Sequence, residues 1–140
     1  MIITAHDIDT LARTAWGEAR GNGLAGMRVP AWVAANRARN VLVTPRKQFG
    51  NGSIASACWM PEQFSCWNSD DPNRPKVLTV TLDDSNFQLA YYAAIAAAHQ
   101  LTADPTIGRL FYWSTDIPTP QWAMDKPFLS IGPFRLVADA

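Results

Sequence analysis

The segment from Ser85 to His99 constrains the fold more than any other part of this chain. Phe87, Ala90, Tyr91, Ala94, Ile95 and Ala98 recur at helical spacing, and Ser85 followed by Gln88 forms a capping box at the start of the run. An alanine-rich helix of this kind reads as the buried centre of a fold, and the remaining elements have to pack around it. Two further helical patterns supply the partners. Ile8, Leu11, Ala12, Ala15 and Ala19 define an apolar face that Asp7 or Asp9 can cap, and the alanine-rich run from about Gly26 to Arg39 reads as a second helix packed on the first. Pro30 lies within that run, where a mid-helix proline costs about 3 kcal/mol unless it falls in the first turn or at a kink.

The rest of the chain is more mixed. Ser53 starts a short helix through Trp59, between loops at Thr44 to Gly52 and at Asn68 to Lys76. Val77 to Leu82 has strand propensity or serves only as an extended lead-in, and Arg109 to Ser114 and Leu129 to Val137 read as short strands. The expected class is α+β, mainly helical with a small antiparallel β element. With 140 residues, 48% of them hydrophobic, the chain can bury a sizeable core as one domain spanning residues 1–140.

Charge and composition exclude several functions. The 12 basic and 12 acidic residues balance, so no broad basic field is available to hold nucleic acid or an anionic membrane. A neutral or mildly polar ligand is the natural partner. No stretch approaches the roughly 18 apolar residues of a membrane span. Met1 to Asp7 lack the basic start and apolar run of a secretory signal, so export is expected to use another route. Cys58 and Cys66 are expected to be reduced and buried rather than paired. Zinc is not expected, because His6-Asp7-Ile8-Asp9 offers too few good ligands and no H-E-x-x-H pair occurs.

Chemistry points to Glu18. On a wheel built from the first apolar face, it falls roughly 80° to one side, beside Leu11, at the edge of the core. Partial desolvation there disfavours the charged form. Gly21 is a natural stop for the helix, which puts Glu18 in the last turn, where the negative end of the helix dipole acts in the same direction. Arg13 and Arg20 lie on the other side of the wheel and are not placed to cancel the shift. The competing reading is a solvated surface glutamate.

Segments running from Leu11-Ala12-Arg13-Thr14-Ala15-Trp16-Gly17-Glu18-Ala19-Arg20-Gly21 through Val33-Ala34-Ala35-Asn36-Arg37 to Pro61-Glu62-Gln63-Phe64-Ser65-Cys66-Trp67-Asn68 occur in the order seen in the SleB-type cell-wall hydrolases, the catalytic domain of spore-cortex-lytic enzymes. Asp104-Pro105-Thr106, Pro120-Gln121-Trp122 and Ile131-Gly132 also resemble that family. The resemblance implies a lysozyme-like fold, cleavage of peptidoglycan glycan strands, and Glu18 as the catalytic residue. It implies that the segment around Phe64 lies near the cleft. Gln63, Phe64, Ser65 and Asn68 are therefore substrate-binding candidates, and Trp67, Tyr112 and Trp122 are aromatic ones, whose flat faces suit sugar rings. Trp16 and Trp32, at helical positions, are assigned to the core.

The chain departs from the family pattern in two places. Asn22 stands where members commonly carry a second acid, and no histidine follows Ile131-Gly132.

One carboxylate suffices for a lytic transglycosylase. It protonates the leaving oxygen between MurNAc and GlcNAc, then takes the proton of the muramic 6-hydroxyl as an anhydro ring closes. No cofactor is required, and a monomer is expected. One alternative is a muramidase that hydrolyses the same bond, with Glu62, Asp70 or Asp71 as second acid. Another is a cysteine peptidase or amidase using Cys58 or Cys66 with His99. A third is a non-catalytic glycan-binding module of a phage particle. The absence of a signal and of an added wall-binding segment in this sequence suits a phage lysin or virion-borne wall hydrolase.

Overall fold

The computed structural model describes residues 1–140. Five α-helices, α1 (Ala5–Ala19), α2 (Gly23–Val41), α3 (Ile54–Trp59), α4 (Arg74–Thr79) and α5 (Ser85–His99), are followed by strands β1 (Phe111–Ser114), β2 (Leu129–Ile131) and β3 (Phe134–Val137). The α+β, mainly helical class expected from the sequence is the one observed.

The start of α1 is set one turn earlier than the aspartates suggest. Thr4 is the N-cap. Its hydroxyl accepts from the Asp7 amide at 3.1 Å, and the Asp7 carboxylate accepts from the Thr4 amide at 3.0 Å. Asp7 also accepts from the Ala55 amide at 2.9 Å, so one buried carboxylate ties the beginning of α3 to α1. The end of α1 differs as well. Gly21 is not the helix stop: the chain continues through a 3-10 turn at Arg20–Asn22, and the left-handed residue is Gly23, at φ +68°, which opens α2. Pro30 lies inside α2 and is buried there, and the helix continues through it to Val41.

α5 is the central helix and packs on both α1 and α2. Ala90, Ala93, Ala94 and Ala97 are fully buried, and Phe87 closes the lower end of the same face. Asp84, not Ser85, caps the helix by accepting from the Phe87 amide at 2.9 Å. Gln88 instead reaches the Leu82 carbonyl at 2.8 Å.

Where the sequence favours a strand or an extended lead-in over Val77 to Leu82, Val77 to Thr79 form the last turn of α4 and Val80 is extended. Pro75 starts the helix and Val77 is the residue it buries. Arg13 of α1 donates to the Val77 and Val80 carbonyls at 2.7 and 3.0 Å, which satisfies the exposed end of this short helix. A tertiary hydrogen-bond donor overrides a weak local preference here.

The sheet has the order β1-β3-β2, antiparallel throughout, with Tyr112 opposite Leu136 and Ile131 opposite Phe134. Leu129 to Val137 folds as a hairpin because Gly132 takes φ +52° and Pro133 has no N–H for the ladder. Side-chain alternation sorts the sheet between two apolar clusters. Phe134 and Leu136 join the main helical core, against which Tyr112 also packs, whereas Phe111, Trp113 and Val137 join Phe49, Leu110 and Ala123 in a smaller one. No helix is long and apolar enough to cross a membrane.

Candidate active site

Gly17 explains why a carboxylate at position 18 can be held by another part of the chain. A Cβ added there would lie 2.7 Å from Val77 Cγ2, 2.8 Å from Cys66 Cβ and 2.9 Å from Cys66 Sγ. Only glycine lets the 3-10 turn Ser65–Trp67 and α4 settle this closely on α1. The close approach brings the Cys66 amide to 3.2 Å and the Ser65 hydroxyl to 3.3 Å from Glu18 Oε2, and both donate to it. From β1, the Tyr112 hydroxyl donates to Glu18 Oε1 at 2.9 Å. Three donors from two distant segments thus hold one half-buried carboxylate.

Burial pushes the Glu18 carboxyl above its ordinary value, and the donors from Tyr112, Cys66 and Ser65 only partly offset it. Arg13 and Arg20 do not counter the shift. Arg13 pairs with Asp9 and the α4 carbonyls, while Arg20 binds Asn73 and stacks on Trp16 at 4.2 Å. Tyr112 is itself raised well above the usual phenol range, by burial first and by the nearby Glu18 charge second, so it remains a neutral hydroxyl.

Glu18 lines a cleft of about 610 Å³, within the ordinary range for ligand sites. Gln63 and Ser65 share its lining, and Tyr112 stands between Phe64 and Phe134, with ring centroids 6.4 and 5.6 Å away. Trp122, 39% exposed, forms part of the opposite wall and packs edge-on against Trp113 at 5.7 Å. Of the residues singled out in the sequence, Glu18, Gln63, Ser65, Tyr112 and Trp122 come together here.

The other three do not. Phe64 is only 1% exposed and belongs to the core, so its ring cannot meet a ligand. Trp67 turns away from the cleft, its indole N–H donating to Thr14 Oγ1 at 2.9 Å and its ring set edge-on to Trp59. With Asn68 it lines a neighbouring depression. The reason is geometric: a 3-10 turn has three residues per turn, so Ser65, Cys66 and Trp67 face the cleft, the core and the far side in succession.

Arg37 is a buried cleft residue that the sequence candidates do not include. It is 4% exposed, donates through Nε to the Leu110 carbonyl at 2.7 Å and through Nη1 to Gln63 Oε1 at 3.3 Å, and lies about 5 Å from the rings of Phe49, Phe64 and Phe111. Burial lowers its pKa to about 10, and the anionic forms of Tyr112, Cys58 and Glu18 act in the opposite direction. It remains a cation at neutral pH. The signal is a lone charge in the alanine-rich run Val33 to Ala38, among residues that α2 buries. Glu62, exposed and at φ +66°, is the other carboxylate side chain on the cleft wall. Asp71 instead accepts from the Asn73 amide as a turn former.

The thiols are free and buried. Burial pushes Cys58 up to about 12 and raises Cys66 further, and no hydrogen bond joins either to a histidine. His99 is exposed at the end of α5. No group of three or more His, Cys, Asp or Glu side chains is close enough to hold a metal ion.

No curated protein matches the chain in sequence. Its fold is similar to the catalytic domain of the Bacillus cereus SleB protein, with a TM-score of 0.71 and 22% identity over 96% of this chain and 91% of that one. The catalytic domain of the germination-specific lytic transglycosylase SleB from Bacillus anthracis is similar at a TM-score of 0.69 and 22% identity, over 95% and 94% of the two chains. The model of the cell wall hydrolase family matches residues 21–133, a segment that begins just past Glu18. A match of that length over this fold has one consequence: the chain belongs to the cell wall hydrolase family.

Proposed function

We propose that the chain cleaves peptidoglycan glycan strands between MurNAc and GlcNAc as a lytic transglycosylase, with Glu18 as the only catalytic carboxylate. The observation that carries this reading is the environment of Glu18: a carboxyl whose pKa is raised by burial, held by three donors on the floor of an aromatic-walled cleft. A neutral carboxyl at that point is an acid able to protonate a glycosidic oxygen.

The two oxygens have different partners. The Ser65 and Tyr112 hydroxyls can each donate or accept, but the Cys66 N–H on Oε2 can only donate, which favours Oε2 as the unprotonated oxygen. The transferable proton is accordingly assigned to Oε1. That proton passes to the oxygen linking MurNAc C1 to GlcNAc, and the C–O bond breaks as C1 gains oxocarbenium character. The muramic N-acetyl oxygen supports the cation. Glu18, now a carboxylate stabilised by all three donors, takes the proton of the muramic 6-hydroxyl, and O6 closes on C1. Glu18 ends protonated, no water is consumed, and the product is a 1,6-anhydro end.

Mass spectrometry of digested peptidoglycan tests the reading. Anhydro-muramic ends are expected, and Glu18→Gln lowers their release by at least about a hundredfold while the fold is kept. Reducing muramic ends in place of anhydro ends would replace transglycosylation by hydrolysis, with Glu62 the second carboxylate on the cleft wall. A near wild-type rate in the variant would remove Glu18 from the chemistry.

A further inference from the structure

We infer that the depression floored by Trp59 and Trp67 is a second saccharide subsite, which takes neutral N-acetylhexosamine units of the same strand beyond the Glu18 cleft. The inference rests on the glycan-cleaving reading above. Trp59, the last residue of α3, keeps 46% of its surface exposed although it is a large apolar ring. It is nonetheless fixed. The His6 ring lies 4.9 Å from one part of it and the Trp67 ring meets it edge-on at 6.1 Å. Trp67 is itself anchored through its indole N–H to Thr14. An exposed aromatic that neighbours hold in place presents a flat face at little entropic cost, as sugar stacking requires.

The polar groups beside it are unspent. Asn68, Ser69 and Asp70 line the same depression of about 450 Å³, and their side chains have no hydrogen-bond partner within the protein, nor does the Trp59 indole N–H. An amide, a hydroxyl and a carboxylate around a ring face match the hydroxyls and acetamide of an amino sugar. The lining holds Glu62 and Asp70 and no lysine or arginine, Arg74 lying in a separate depression on the same two tryptophans, and this disfavours an anionic ligand here. Glu62 lines both this depression and the Glu18 cleft, so the two adjoin across its exposed side chain. The turn Ser65–Trp67 joins them as well, with Ser65 in the cleft and Trp67 under the second site. A polymer seated at Glu18 and leaving over Glu62 passes onto Trp59.

The test is a binding titration of Glu18→Gln protein with GlcNAc–MurNAc oligomers of increasing length. The Trp59 indole N–H resonance is followed by NMR, and mass spectrometry checks that the oligomers stay intact. The resonance is expected to shift with long oligomers and not with those short enough to occupy the Glu18 cleft alone. Trp59→Ala lowers the affinity advantage of long over short oligomers about tenfold, the weight of one well-seated aromatic anchor, and Trp59→Phe retains most of it. If long oligomers saturate the protein while the Trp59 resonance stays in place, or if Trp59→Ala leaves the length advantage intact, the subsite is wrong. Wild-type protein that binds through Trp59 but leaves every oligomer uncut would overturn the cleavage reading and leave the subsite standing.

Discussion

At the scale of single residues, Glu18 couples chemistry to stability. Its carboxyl is raised by burial, so the folded chain binds that proton more tightly than the unfolded chain does. The penalty is absent in acid and appears as pH rises from the unfolded value through the folded one. Melting temperatures of wild type and Glu18→Gln, compared from acid to neutral pH, are expected to move in the mutant's favour as pH rises. Tyr112→Phe removes a donor that favours the carboxylate. The limb on which activity falls with rising pH is then expected to move to higher pH, a shift that pH–rate profiles of the two proteins measure directly. Asp7 behaves oppositely. Burial pushes it up, but the Thr4 and Ala55 amides and the Thr4 hydroxyl more than offset this, and the net shift is downward. The stability it contributes is present above the unfolded value and is lost as pH falls through the folded one. Asp7→Ala, which loses the side-chain half of the capping box and strands the buried Ala55 amide, is expected to cost about 3 kcal/mol in denaturant titrations at neutral pH.

Between elements, the contact of α1 with the Ser65–Trp67 turn is the joint on which the site depends. Gly17→Ala forces a methyl group against Val77 and Cys66, and overpacking of this kind costs about 1–3 kcal/mol. The variant is also expected to lose activity beyond its loss of stability, because the turn that moves away carries the Cys66 amide and the Ser65 hydroxyl. Rates measured well below the variant's melting temperature separate the two effects. Element boundaries follow the same logic of hydrogen-bond supply. Thr4 and Asp84 each cap a helix where a neighbouring Asp or Ser stood as the candidate, since the cap is whichever side chain the backbone direction lets reach the second or third free amide. α4 exists because Arg13 collects its terminal carbonyls and Val77 has a place in the core.

For the molecule as a whole, a helical core built around alanine-rich α5 carries a small sheet whose first strand delivers Tyr112 to a carboxylate on α1. Glu18 and Tyr112 therefore lie on separate units, and the cleft runs between them. Arg37 lies beneath that junction as a buried cation with no carboxylate in ion-pair reach, held by the Leu110 carbonyl and three aromatic rings. The cysteine-peptidase alternative is tested at the same scale. Cys58→Ser with Cys66→Ser is expected to keep glycan-cleaving activity while losing about 1–3 kcal/mol of stability, because two hydroxyls replace thiols in an apolar site. Inactivation of a folded double variant would restore the thiols to the chemistry.

By itself the sequence determined the α+β class, the three long helices and the placing of Glu18 at the edge of the core near a helix end, because helical periodicity and burial are local patterns that survive without knowing the partners. Motif order also carried Gln63, Ser65, Tyr112 and Trp122 toward the cleft. The tertiary structure decided what periodicity cannot encode. A 3-10 turn separates Ser65 from Trp67 by a third of a circle, so adjacent candidates face different depressions. Phe64, indistinguishable in sequence from a binding aromatic, fills the core beside Arg37. Gly17, in the sequence only one member of a motif, is the point where two segments 49 positions apart come into contact. Such contacts depend on which surfaces meet after the chain has folded, and that information belongs to pairs of distant residues rather than to any window of sequence.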